Sequence, residues 1–176
     1  ETLEEILDSL KDKTILVLDK CWDCWDKVYA LLKEKDMVDQ TIFKFYLKDE
    51  EPMVWAKAHK DCIFIPMCGD PGMFPQLLEL REHAGLPAVE ILPHAEDEPI
   101  FSDETFRWLE EHHIKVWCNS LSLARRLVYG AGYDDLKSLR YGGDKGWGVL
   151  IDKGVQILQT DWPHEVACYL KEKKMR

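Results

Sequence analysis

The sequence predicts an α/β fold of parallel strands alternating with helices, a partial TIM-type (β/α) barrel that lacks the first two or three strand units. Three observations predict it. Six short β-rich runs are separated by segments of helical period along the 176 residues, and such alternation gives a parallel sheet with right-handed crossovers. The chain closes on a helix, a glycine stop, a buried strand and an acid at the strand's carboxyl tip. A complete eight-unit barrel takes about 200 to 250 residues, more than are present.

In chain order, residues 2–10 read as an amphipathic helix capped by Thr2, with Glu5 three residues on in capping-box spacing. Residues 14–19 are the first strand and 22–35 a helix; 41–47 is the second strand, and 51–60 a helix with Pro52 in its first turn. A strand over 62–68 leads to a helix over 74–84, a short strand over 88–92 and a helix over 103–112 capped by Ser102 or Asp103. The strand beginning at Ile114 follows. Glycine-rich residues 121–145 then interrupt the alternation just after Asn119, and a long loop at a strand's carboxyl end is expected to act as a lid. Trp147, Val149, Leu150 and Ile151 have helical spacing, Gly154 can take the left-handed conformation that ends a helix, and 155–158 is an apolar strand. Thr160 and Asp161 fall where that strand gives way to its loop, the face on which α/β folds place ligands. Pro163 stops the strand, and 165–171 is the last helix. Residues 1–176 are read as one incomplete barrel domain.

With 46% hydrophobic residues the chain can build a core. Its 23 basic and 33 acidic residues give a formal charge of −10 with no basic stripe, which argues against nucleic acid and against an anionic membrane as partners. No run approaches the roughly 20 apolar residues of a membrane span. The opening Glu1-Thr-Leu-Glu-Glu has no initiator Met and no signal-peptide character, so the chain is expected to begin at a cloning boundary, a processing site or the edge of something larger. Its location, cytoplasmic or exported, stays open. Six scattered cysteines suit reduced thiols. Cys21-Trp-Asp-Cys24 has redox-motif spacing without a thioredoxin-like context, and no second pair completes a zinc site.

Several polar residues sit in apolar strands. Asp19 shares a face of the first strand with Ile15 and Val17, and an acid there needs a cation or solvent. Taken alone it reads as a cap for the following helix. Lys44, on the Ile42 and Tyr46 face, needs an anion, for which a substrate phosphate would serve; the alternative is an edge or snorkelling lysine. Glu90 could approach a metal or a substrate hydroxyl, or could bridge to Lys44. Trp117 and Asn119 alternate onto one face, as do Gln159 and Asp161. Of the six histidines, His94 alone falls at a strand's carboxyl end.

Two stretches carry a family resemblance: Ile114-Lys-Val-Trp-Cys-Asn-Ser120 and the closing Gly154-Val-Gln-Ile-Leu-Gln-Thr-Asp-Trp-Pro163. They resemble the last two strands of the glycerophosphodiester phosphodiesterase family, in order. The resemblance implies a barrel hydrolase that converts a glycerophosphodiester to an alcohol and a phosphomonoester, with a divalent cation, Mg²⁺ or Ca²⁺, polarising the phosphoryl oxygens. Leu18-Asp19-Lys20 is similar to the family's Asp-Lys pattern, which implies Asp19 as a metal ligand and Lys20, with Lys44, as catalytic cations. It also implies Trp117 as an aromatic wall and Asn119 as an amide donor beside the substrate, with Asp161 structural at the barrel mouth.

The family's His-Arg-Gly strand, its acidic pair and its His-Asp are absent, and with them the acid–base histidines. Little or no hydrolysis is therefore expected from these residues alone. Two other readings stay open: a different phosphate-using barrel enzyme with a Schiff-base or phosphate-binding Lys44, and a non-catalytic partial barrel whose open sheet edge is covered by another copy.

Overall fold

The computed structural model describes residues 2–123 and 128–174, which form two compact units. The first comprises Glu1–Met67 and Gly72–Ala88. It opens on α1, Leu3–Leu10, where Thr2 and Glu5 make the reciprocal bonds of a capping box. β1, Leu16–Leu18, is followed by a helical turn and α2, Trp25–Lys35; β2, Thr41–Phe43, by α3, Glu50–Ala58; and β3, Ile63–Phe64, precedes α4, Phe74–His83. The sheet runs β1-β2-β3 in parallel, with Leu16 opposite Thr41 and Ile42 opposite Ile63. Its core is aromatic: Phe43, Phe45 and Phe64 are fully buried, and Trp25 sets its ring edge-on to Phe43 and Phe45.

The second unit comprises Cys68–Pro71 and Val89–Arg176. The other sheet has the order β4-β5-β6-β7, with β4 Met67–Cys68, β5 Ala88–Ile91, β6 Lys115–Asn119 and β7 Ile157–Gln159. β6 and β7 are parallel, with Asn119 opposite Gln159. α5, Asp103–Glu111, is capped by Ser102; α6 is Asp135–Tyr141, α7 Trp147–Lys153 and α8 Pro163–Glu172. Gly154 ends α7 at φ +118°. Ile91, Ile100, Leu109, Cys118 and Leu150 form its buried centre.

The predicted alternation of parallel strands and helices is what folds. Two details differ. The predicted 62–68 strand is cut into β3 and β4, and between them lies Pro66, which has no N–H to give a ladder. The interruption over 121–145 holds α6 and two short helical turns; four of its residues, 124–127, lie outside the described ones. Among the described residues no helix is long and apolar enough to cross a membrane.

Candidate functional site

In the first unit the predicted residues gather at the carboxyl end of the parallel sheet. The Lys44 amide donates to the Leu18 carbonyl at 3.1 Å, which brings Lys44 beside the segment that carries Asp19 and Lys20. Their exposure divides them. Lys44 is 2% exposed, at the end of the central strand, so it is neither an edge nor a snorkelling lysine. Asp19 and Lys20 are exposed. Lys20 holds φ at 56°, in the left-handed region that a side chain disfavours.

Next to them, Cys21 is half-buried and Cys24 donates its thiol to the Cys21 carbonyl. Burial pushes the Cys21 thiol up, and the charges of Cys24 and Asp19 add to the effect against hydrogen bonding from Trp25. That is the wrong direction for a thiolate nucleophile. All six cysteines are free.

In the second unit Glu90 lies in β5, 2% exposed, and Trp117 and Asn119 lie on one face of β6 at 8% and 7%. Asn119 uses its Oδ1 to accept from the Leu121 amide at 2.8 Å, so what it can offer elsewhere is its amide N–H pair. Cys118, between the two, is pushed up to about 12, first by burial and further by the Glu90 carboxylate. His94, exposed at the end of β5, pairs Nδ1 with the Val128 carbonyl at 2.7 Å. A carbonyl only accepts, so Nδ1 is the donor in this bond.

One acid of this unit, Asp135, is marked by no pattern in the sequence. It is fully buried. Its Oδ1 accepts from Ser120 Oγ at 2.7 Å, Trp147 Nε1 at 2.8 Å and Thr160 Oγ1 at 2.8 Å, and its Oδ2 from the Asp161 amide at 3.0 Å. One carboxylate thereby ties the carboxyl ends of β6 and β7 to α6 and α7. Asp161 contributes its backbone N–H to this knot while the residue itself is exposed. Gly130, at φ +62°, closes the same end, because a Cβ there would stand 2.7 Å from the Asn119 carbonyl oxygen.

Among the described residues no group of three His, Cys, Asp or Glu side chains could hold a metal ion. Asp19 alone is not a metal site, since a hard divalent cation takes six or more oxygen ligands.

Residues 70–170 match the DUF4996 family, described as a domain of unknown function. No curated protein matches the chain. Among solved structures the chain is similar to the crystal structure of a glycerophosphoryl diester phosphodiesterase from Parabacteroides distasonis ATCC 8503, with a TM-score of 0.73 and 17% identity. That match covers 98% of this chain and 55% of the other, so the chain spans about half the length of that structure. At this identity the likeness is one of fold, the partial (β/α) barrel.

Proposed function

The chain belongs to the DUF4996 family, and from that footing we propose that it forms part of a phosphoric diester hydrolase lineage resembling glycerophosphodiester phosphodiesterase. The observation that carries this reading is the likeness of fold, together with Trp117, Asn119 and Asp161 at the carboxyl ends of adjacent parallel strands. In this reading Lys20 and Lys44 supply positive charge to a phosphoryl group at the β1 and β2 ends, as catalytic cations. Separately, within the second unit, Glu90, Trp117 and Asn119 are the residues this reading gives to substrate contact, with Asn119 offering its amide N–H pair. Asp19 would offer one oxygen toward a divalent cation, and no group of three His, Cys, Asp or Glu among the described residues completes the set. No step of the reaction is assigned to that ion. The 176 residues alone bind the phosphoryl group without turning the diester over, and the substrate is a small-molecule phosphodiester.

Two measurements test this. Calorimetry with glycerol 3-phosphate should give a dissociation constant on the order of 1 mM, weakened about tenfold in Lys20→Met. Absence of binding would remove the proposed pocket. A glycerophosphodiester incubated with the chain and Mg²⁺ or Ca²⁺ should remain intact, and its hydrolysis would overturn the inactive reading.

A second reading, a partial barrel that assembles with another copy, has its own support. β1 has β2 as its one strand neighbour among the described residues, and beside that open edge Ile15 is 66% and Val17 41% exposed. Sedimentation should then show a dimer that Val17→Lys dissociates; a monomer at every concentration would sink this version.

A further inference from the structure

The chain carries Cys21-Trp-Asp-Cys24, a spacing suited to thiol–disulfide chemistry that the phosphodiester reading leaves without a role. Such a pair works from a joint at which a strand passes into a helix. The structure provides that joint. β1 ends at Leu18, Trp22–Cys24 form a 3-10 helical turn capped by Cys21, and α2 runs on with Cys24 at its N-cap position. We propose that Cys21 and Cys24 are a reversible modification site, which closes to an intrachain disulfide by exchange with a small disulfide.

Three observations bring the two residues together. The Cys24 amide donates to the Cys21 carbonyl at 3.0 Å, closing a four-residue turn that keeps the two Cα atoms within about 7 Å, the reach of a disulfide. Residues three apart in a 3-10 turn project on the same side. The Cys24 thiol also donates to the Cys21 carbonyl, at 3.3 Å, so its Sγ already lies against the residue it is to join.

Exposure sets the order of events. Cys24 is exposed and Cys21 half-buried. Burial pushes the Cys21 thiol up, which makes it the poorer first nucleophile and leaves it to resolve the intermediate. The Cys24 thiolate attacks one sulfur of the small disulfide RSSR; the S–S bond breaks, and the released thiolate takes up a proton and departs as RSH. Cys21 then loses its proton and attacks the Cys24 sulfur of the mixed disulfide, which releases the second RSH. Two cysteine thiols are oxidised, one disulfide is reduced to two thiols, and no further reactant is needed.

The remaining thiols are placed differently. Cys62, Cys68 and Cys118 are buried. Cys168, exposed on α8, faces the His164 ring at 3.7 Å rather than a second thiol, so it should stop at the mixed disulfide.

That contrast is the test. The chain is incubated with bis(2-hydroxyethyl) disulfide, a neutral probe suited to a pair flanked by the carboxylates of Asp19 and Asp23, then trapped with iodoacetamide, cut with trypsin and weighed. Trypsin releases residues 21–27 as one peptide holding both cysteines. That peptide should lose two hydrogens and regain them with dithiothreitol, while the peptide carrying Cys168 should gain one mercaptoethanol group. Cys21→Ser should leave a lasting mixed disulfide on Cys24, and Cys24→Ser should react at Cys21 at least about tenfold more slowly. A peptide from the unsubstituted chain that keeps both thiols, or that stops at the mixed disulfide on Cys24, would overturn the proposal, as would equal rates in the two variants. The first measurement needs no substitution, and no phosphodiester takes part in any of them, so the result stands apart from the hydrolase reading.

Discussion

At Lys20 the backbone is left-handed although the residue carries a full side chain. Among the described residues five other non-glycine residues share the feature; Asp36, at the end of α2, does so as part of an ordinary helix stop. Lys20 instead follows the end of β1, at the point where the phosphoryl group is proposed to bind. Holding a non-glycine residue there costs about 1 kcal/mol, and strain of this kind persists where a side chain is needed. Lys20→Gly should therefore raise the stability by about 0.5 to 1 kcal/mol in urea denaturation, while lowering affinity for glycerol 3-phosphate. A loss of stability would show that the turn is not strained. The sequence marked Lys20 through its pattern with Asp19, but dihedral angles leave no trace in composition.

α6 explains why one element escaped notice in the sequence and why its acid did too. Its buried residues are Asp135 and Ser138, whereas Leu136, Leu139 and Tyr141 are 58%, 40% and 65% exposed. The apolar pattern faces outward, the reverse of the rule by which amphipathic helices are found. The four donors to the carboxylate and the bond from the Trp147 amide to Ser138 Oγ at 2.9 Å satisfy that inverted face. Asp135→Asn keeps an acceptor but sets an N–H₂ group against one of the donors, so it should destabilise the fold by about 2 to 3 kcal/mol, read from the urea midpoint. A change below about 0.5 kcal/mol would mean that the knot is dispensable. By contrast, α1 was legible because its cap is written in adjacent residues. β7 was legible because a glycine stop and an apolar run specify it locally.

On the scale of the whole molecule, buried thiols set the alkaline limit. Burial raises Cys62 to about 12, Cys68 to about 11 and Cys118 to about 12, against 9.0 for an ordinary thiol. Because the folded values are raised, their contribution is complete below pH 9 and is lost as pH rises toward 11 to 12. The decline should approach about 1.4 kcal/mol per pH unit for each thiol. Urea midpoints should therefore stay level from about pH 7 to 8.5 and then fall, with a shallower limb in Cys118→Ala; a flat profile to pH 11 would contradict the burial of these groups. The α/β alternation was legible because periodicity belongs to single segments. The candidate site was legible only in pieces, since Lys20, Glu90 and Asn119 could each be picked out within a strand or at its end. What Asp135 joins lies 12 to 26 residues away along the chain, and no local pattern encodes such a meeting.

The ring pair Trp25 and Trp55 has one more consequence. With centroids 4.8 Å apart and planes tilted by 49°, their strong transitions should couple and give the first unit a circular dichroism couplet in the far ultraviolet. The amplitude of that couplet should therefore follow the melting of the first unit without a label or a cut in the chain.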